Sequence, residues 1–374
     1  MPETVGLALS GGGFRAALFH VGALLRLNEL GLLPRLSEVS SVSGGSITAA
    51  VLARAWPRLQ FDHAGVARAF GSEVLEPLRR FCGRTHDVPA LLLGLALPWK
   101  SPVRRLAEAY DRWLFQGATL QDLPADDQGP RFTIYATSLD TGASVRFSRP
   151  YLGDYHLGLV REPRLPLALA VAASSAFPPF FAPLQLPLPP EAWERMPGAD
   201  LYGEAWRRER LWLGDGGIYD NLGLERVADR CDVVLVSDAG APFQPLGGRL
   251  GLRLSWLGRT KRVLDIAVEQ TRALRKRQLI ADFEAGARRG TYWGIATQIG
   301  DYGLEARGRR PALLADQAAT AQLARTRTRL DAFSPTEQAR LTDWGYALSD
   351  AALRRHVLEA EPSPGSLPLE WPAD

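Results

Sequence analysis

The sequence predicts an α/β fold, a mostly parallel central sheet with helices on both faces, followed by a helical C-terminal extension. Three observations carry this. Short apolar runs recur along the chain, "VGLAL" at 5–9, "FTIYATSL" at 132–139 and "DVVLVSDA" at 232–239. Segments with helical spacing of apolar residues alternate with them. The first two strand-like runs each end in a glycine-containing turn that opens directly into a helix, at "SGGGFRAA" (10–17) and "SVSGGS" (41–46). With 374 residues, 46% of them apolar, the chain can bury one large core.

After the first strand, "AALFHVGALLRLNELG" sets Leu18, Val21 and Leu25 on one helical face and stops at Gly31. A second strand ends near Val42, and a second helix runs from Gly44 to about Trp56. Residues 57–130 read as helices and loops. Within them "VPALLLGLALPW" (88–99) is too short to span a bilayer and reads as a buried helix or as a patch that dips into a membrane interface. Further strands are expected at "VRF" (145–147), "RLWLGD" (210–215) and "YWGIATQI" (292–299), with a helix at "RLPLALAVAASSA" (164–176) and a long amphipathic stretch at about 258–289. From about residue 310 the chain looks helical and arginine-rich, and it ends in "EPSPGSLPLEWPAD", expected to be a mobile tail. The expected division is a main domain at 1–305 and an extension at 306–374 packed on it.

Of 44 basic residues only Lys100, Lys261 and Lys276 are lysines, the net charge is +3 and no long basic block occurs, so nucleic acid is not an expected partner. Cys82 and Cys231 lie too far apart for a disulfide framework and lack metal-ligand spacing, which suits a reducing compartment. No acidic cluster has the pattern of a calcium site, and neither a metal nor another cofactor is expected. The N-terminus lacks the basic start of a signal peptide. The expectation is a cytoplasmic or peripheral membrane protein, and signal-less secretion is compatible with the same sequence.

Three glycines between a strand and a helix leave backbone N–H groups unobstructed at the positive end of a helix dipole, a nest for an anion. The anion can be a bound phosphate or an oxyanion formed during acyl transfer. A P-loop lysine is missing, as is the spacing of a dinucleotide loop. Ser43 has the spacing of a G-x-S-x-G nucleophile turn, with Ser41 in place of the first glycine; an ordinary small-residue turn has the same composition. Among the five histidines only His356 follows the aspartates as a hydrolase triad would order them, and it falls in an expected surface helix. Asp215, at the end of an apolar strand and before two glycines, is the better base, with a plain Asp-Gly turn as its alternative. Asp220 and Asn221 read as turn formers or helix caps.

Together the glycine loop "SGGGFRAA", the turn "SVSGGS" and "DGG" at 215–217 resemble the motifs of the patatin-like phospholipase family, related to the cytosolic phospholipase A catalytic domain; "ATSLDTG" (136–142) and "AASSAFPPFFAP" (172–183) also look like family segments. The resemblance covers about residues 5–300 and implies a three-layer sandwich carrying a serine lipid acyl hydrolase of phospholipase A or lysophospholipase type. It implies a Ser43–Asp215 dyad working through an acyl-enzyme on a lipid ester. It further implies an oxyanion hole among Gly11, Gly12, Gly13, Phe14, Arg15 and Gly44, with Arg15 near the oxyanion or a substrate phosphate. An ionised Asp215 is expected in polar, glycine-lined surroundings. The family's frequent Asn-x-Pro after the aspartate is here Asn221-Leu222-Gly223, which puts a role for Asn221 in doubt. An acyltransferase using the same dyad and a non-catalytic phosphate- or lipid-binding module are the alternatives. The proline-rich run at 165–190 suits an acyl channel or a buried helix and loop, and the basic ends of 259–277 suit a solvated or a membrane-facing helix. Oligomeric state is left open.

Overall fold

A computed structural model describes residues 3–86, 101–178, 181, 183–245 and 255–371; the apolar run at 88–99 lies outside them. The chain begins with β1 (Val5–Leu9), α1 (Gly13–Glu29), β2 (Leu36–Val42) and α2 (Gly44–Ala55), then α3 (Glu76–Cys82) and α4 (Pro102–Tyr110). Next come β3 (Arg131–Ser138), β4 (Ser144–Phe147), β5 (Tyr151–Asp154), β6 (Gly158–Arg161), α5 (Leu167–Ser174), β7 (Leu184–Pro187) and β8 (Trp193–Glu194). The second half holds α6 (Ala205–Glu209), β9 (Arg210–Asp215), α7 (Gly217–Asp220), α8 (Glu225–Arg230), β10 (Val233–Asp238), α9 (Trp256–Glu284), β11 (Arg289–Gly294), α10 (Ala318–Leu323) and α11 (Pro335–His356).

The strands form one sheet in the order β11-β10-β1-β2-β3-β4-β5-β6-β8, with β9 also paired to β3 and β7 to β9. The central strands β11, β10, β1, β2 and β3 are parallel. From β3 outwards the pairing turns antiparallel, including β9 on β3. The short strands β5, β6, β7 and β8 were not expected from sequence, because runs of two to four residues, three of them containing glycine or proline, carry little periodicity. The chain leaves β1 for β2 on one side and returns to β10 on the other, so the C-terminal end of β1 is a switch point where open sheets leave a crevice.

Helix α1 is buried along nearly its whole length. It packs against α11 at backbone distance, since a methyl on Gly22 would collide with the Thr342 carbonyl and one on Gly345 with the Phe19 carbonyl. The expected surface helix is therefore a core helix, capped by Ser334 and Glu337, with only Pro335 and Thr336 at its start and His356 at its end exposed. Arg26 and Arg354 share the buried Asp350, and Arg354 reaches on to Glu361. The expected mobile tail is fastened here. Leu367 and Trp371 pack on the core, and the Leu369 N–H donates to Asp343 at 3.0 Å.

Candidate active site

Register brings the first two turns together. Leu9 lies beside Ser41 on one side and Ser237 on the other, so the glycine loop and the Ser43 turn leave the sheet as neighbours. They touch: a methyl on Gly44 would strike the Gly13 carbonyl, and one on Gly45 the Leu9 carbonyl. That contact explains why this turn needs glycines after the serine. Ser43 sits at φ 51° and ψ −119°, a strained conformation for a residue with a Cβ. Its N–H donates to Ser174 Oγ at 2.8 Å, and Ser174 Oγ is 2.9 Å from Ser46 Oγ. Ser41, where a glycine was expected, is buried and accepts from Ser46 at 3.1 Å, so the extra hydroxyl has a partner.

Strand β9 delivers Asp215 from the other side. Asp215 pairs with Ala136 of β3, its N–H donates to the Ala176 carbonyl at 2.9 Å, and its carbonyl accepts from Thr137 Oγ1 at 2.8 Å. The carboxylate accepts from the Gly217 N–H at 2.7 Å and faces the Ser43 hydroxyl. It is 3% exposed, and burial pushes the carboxyl up to about 7 against the pull of those two groups. The surroundings are thus drier than the expected polar pocket.

Both residues line a cavity of about 720 Å³. Helices α1 and α2 start at its floor, and among the described residues the N–H groups of Gly12, Gly13 and Gly44 have no protein acceptor. Two helix N-termini therefore make this floor favourable to negative charge. Phe177, Phe181, Phe243 and Leu330 supply apolar walls, with Lys261 and Arg329 among the charged lining groups.

The expected oxyanion set does not arrive whole. Gly12, Gly13 and Gly44 border the cavity, whereas the Gly11 N–H is committed to the Asn221 carbonyl at 3.0 Å. Phe14 lies outside the cavity lining with its ring buried against Phe81 and Phe333, although its backbone N–H, like that of Gly13, has no protein acceptor among the described residues. Arg15 reaches the cavity edge, yet its guanidinium is 1% exposed and donates to the Ala239 carbonyl at 2.8 and 3.0 Å and to the Thr326 carbonyl at 2.7 Å. Burial lowers it to about 10. Arg15 is a brace between β10 and the C-terminal extension, not a cation aimed at a substrate. His356 lies outside the cavity lining, and the buried His20 bridges Ser237 and the Ser10 carbonyl, held neutral by a desolvation that lowers it to about 4.

Two further residues complete the site, Asn221, which the sequence reading took for a turn former or helix cap, and Ser174, which it did not single out. Asn221 lines the cavity, and its side-chain oxygen fills the space a methyl on Gly11 or Gly217 would need. The turn that carries it is built by Asp220, which accepts from the Leu222 and Leu224 N–H groups, and by Gly223 at φ 66°, where a proline could not fit. Ser174 holds both turns, through its hydroxyl on Ser43 and its carbonyl on the Gly216 N–H. Their signal was weak because each acts through a partner far along the chain.

The fold has known counterparts. Human GIVD cytosolic phospholipase A2 superposes with a TM-score of 0.50 at 14% identity, over 94% of this chain and 61% of that one. The same human enzyme in complex with methyl gamma-linolenyl fluorophosphonate gives 0.51 at 16%, over 94% and 58%. The chain thus spans about three fifths of these neighbours, and at such identity the likeness is one of fold. No curated protein sequence matches significantly. The model of the patatin-like phospholipase family matches residues 7–228, and the chain belongs to that family.

Proposed function

We propose that the protein is a serine lipid acyl hydrolase of phospholipase A or lysophospholipase type, working through Ser43 and Asp215. The observation that carries this is a serine on a strained turn, facing a buried carboxylate, at the floor of an apolar-walled cavity between two helix N-termini. Asp215 takes the Ser43 proton as Oγ attacks the ester carbonyl carbon. The oxyanion accepts N–H groups from Gly12, Gly13 and Gly44, each worth on the order of 3 kcal/mol in the barrier. The proton then passes from Asp215 to the leaving alkoxide, and water, activated by the same carboxylate, hydrolyses the acyl-enzyme. A base that ionises near 7 loses activity below that pH and holds it above.

Intact-mass measurement after treatment with a fluorophosphonate tests the reading. Wild type takes one adduct, Ser43→Ala takes none, and Asp215→Asn reacts slower by about 10⁴-fold. An adduct that survives Ser43→Ala, or an Asp215→Asn variant that reacts like wild type, overturns the dyad.

A further inference from the structure

Helix α9 has two unlike faces. Its inner flank contributes Lys261, Arg262, Val268 and Glu269 to the cavity wall, while its outer flank leaves large apolar side chains in solvent. Trp256 is 73% exposed, Val263 66% and Leu274 59%. At about 100° per residue these three, with exposed Ala267, fall within roughly 20° of one line, and at 1.5 Å per residue that line runs about 27 Å. Single exposed apolar residues are ordinary on a protein surface, but an aligned row of them is a contact surface.

We propose that this outer face of α9 is the surface on which the protein docks to an anionic lipid bilayer; the proposal rests on the lipid-ester reading of the site. Charge selects the occupant. Exposed Arg259 and Arg277 lie along one side of the row, each roughly 60° from it, and no carboxylate lies among the exposed residues from 255 to 281. The two acidic residues in that part of the helix are turned away and paired, Asp265 with Lys261 at 2.7 Å and Glu269 with Arg272 at 2.9 Å. An apolar row bordered by arginines and free of acids matches a surface of acyl chains under anionic headgroups. On the inner flank, roughly 120° around the helix from the row, Arg262 stacks at 3.9 Å on Phe243, itself 40% exposed at the cavity rim.

Co-sedimentation of the full chain with vesicles tests this, using phosphatidylcholine alone and phosphatidylcholine with about one third phosphatidylglycerol. Wild type is expected to bind the anionic vesicles on the order of tenfold more tightly and to lose that preference in high salt. The pairs Val263→Ser with Leu274→Ser, and Arg259→Gln with Arg277→Gln, are each expected to weaken binding on the order of tenfold. Both should keep the wild-type circular dichroism and the wild-type rate on a water-soluble short-chain ester, which separates lost docking from lost folding. Wild type that ignores both vesicles, or variants that bind like wild type, overturn the proposal. So does a wild-type dimer in sedimentation velocity that the serine pair abolishes without changing vesicle binding, because the row then pairs with a second copy. Vesicle binding as expected with no fluorophosphonate adduct on Ser43 leaves the docking face standing and removes the hydrolase reading.

Discussion

The turns at Ser43 and Asp215 meet in one cavity but are held out of equilibrium in different ways. At Ser43 the backbone is strained, with φ at 51° on a residue that has a Cβ, and the side chain is only partly buried. At Asp215 the following backbone is relaxed, Gly216 lying at φ −60°, and the cost falls on a carboxyl removed from water. One turn stores conformational strain and the other desolvation. Each is useful where it stands, since strain presents the hydroxyl to the cavity and desolvation raises the affinity of the carboxylate for a proton.

Stability measurements can separate the two. The largest effect is expected at the aspartate. An unfolded chain ionises this residue near 3.8, whereas the folded site keeps its proton up to about 7. Between those values the folded state binds the extra proton, so stability falls as pH rises. Asp215→Asn has no charge to desolvate and should be more stable than wild type by on the order of 3 kcal/mol above about pH 8, with the gap closing below about pH 4. Urea midpoints across pH check this, and a gap that does not vary with pH removes the desolvation account.

A smaller effect belongs to the residue that joins the turns. Ser174→Ala leaves the Ser43 N–H without its acceptor and should cost about 1–2 kcal/mol in stability. Its fluorophosphonate rate should fall further than global unfolding explains, and an unchanged rate would mean that Ser174 supports the fold and not the serine's placement. The smallest effect isolates the backbone strain. Ser43→Gly should be more stable than Ser43→Ala by about 1 kcal/mol, the reverse of the usual order, because only glycine adopts this φ and ψ without cost. Thermal melts of the two inactive variants, with alanine the more stable, would locate the strain elsewhere.

The glycine loop, Ser43 and Asp215 were legible in the sequence because each announces itself locally, as small residues at a strand end beside a hydroxyl or a carboxylate. Arg15 shows the limit of that logic. Beside three glycines it reads as an anion ligand, yet the carbonyls that occupy it come from Ala239 and Thr326, 224 and 311 residues away. Gly11 likewise reads as an oxyanion donor until the chain returns with the Asn221 carbonyl. Helix α9 was read as an amphipathic stretch and α11 as an arginine-rich surface helix, and neither composition nor period says that α11 enters the core on Gly22 and Gly345 while α9 keeps Trp256 and Val263 in water.

By itself the sequence determined the parallel α/β core, the two turns that carry the serine and the aspartate, and the family to which they belong, since strand period, turn chemistry and helix starts are set by neighbouring residues. Only the tertiary structure decided which N–H groups stay free at the cavity floor, that burial drives Asp215 up to about 7, that Arg15 braces the scaffold, and which helix face is left to the solvent. The physical reason is that desolvation and hydrogen-bond satisfaction depend on what distant segments bring to within a few ångströms.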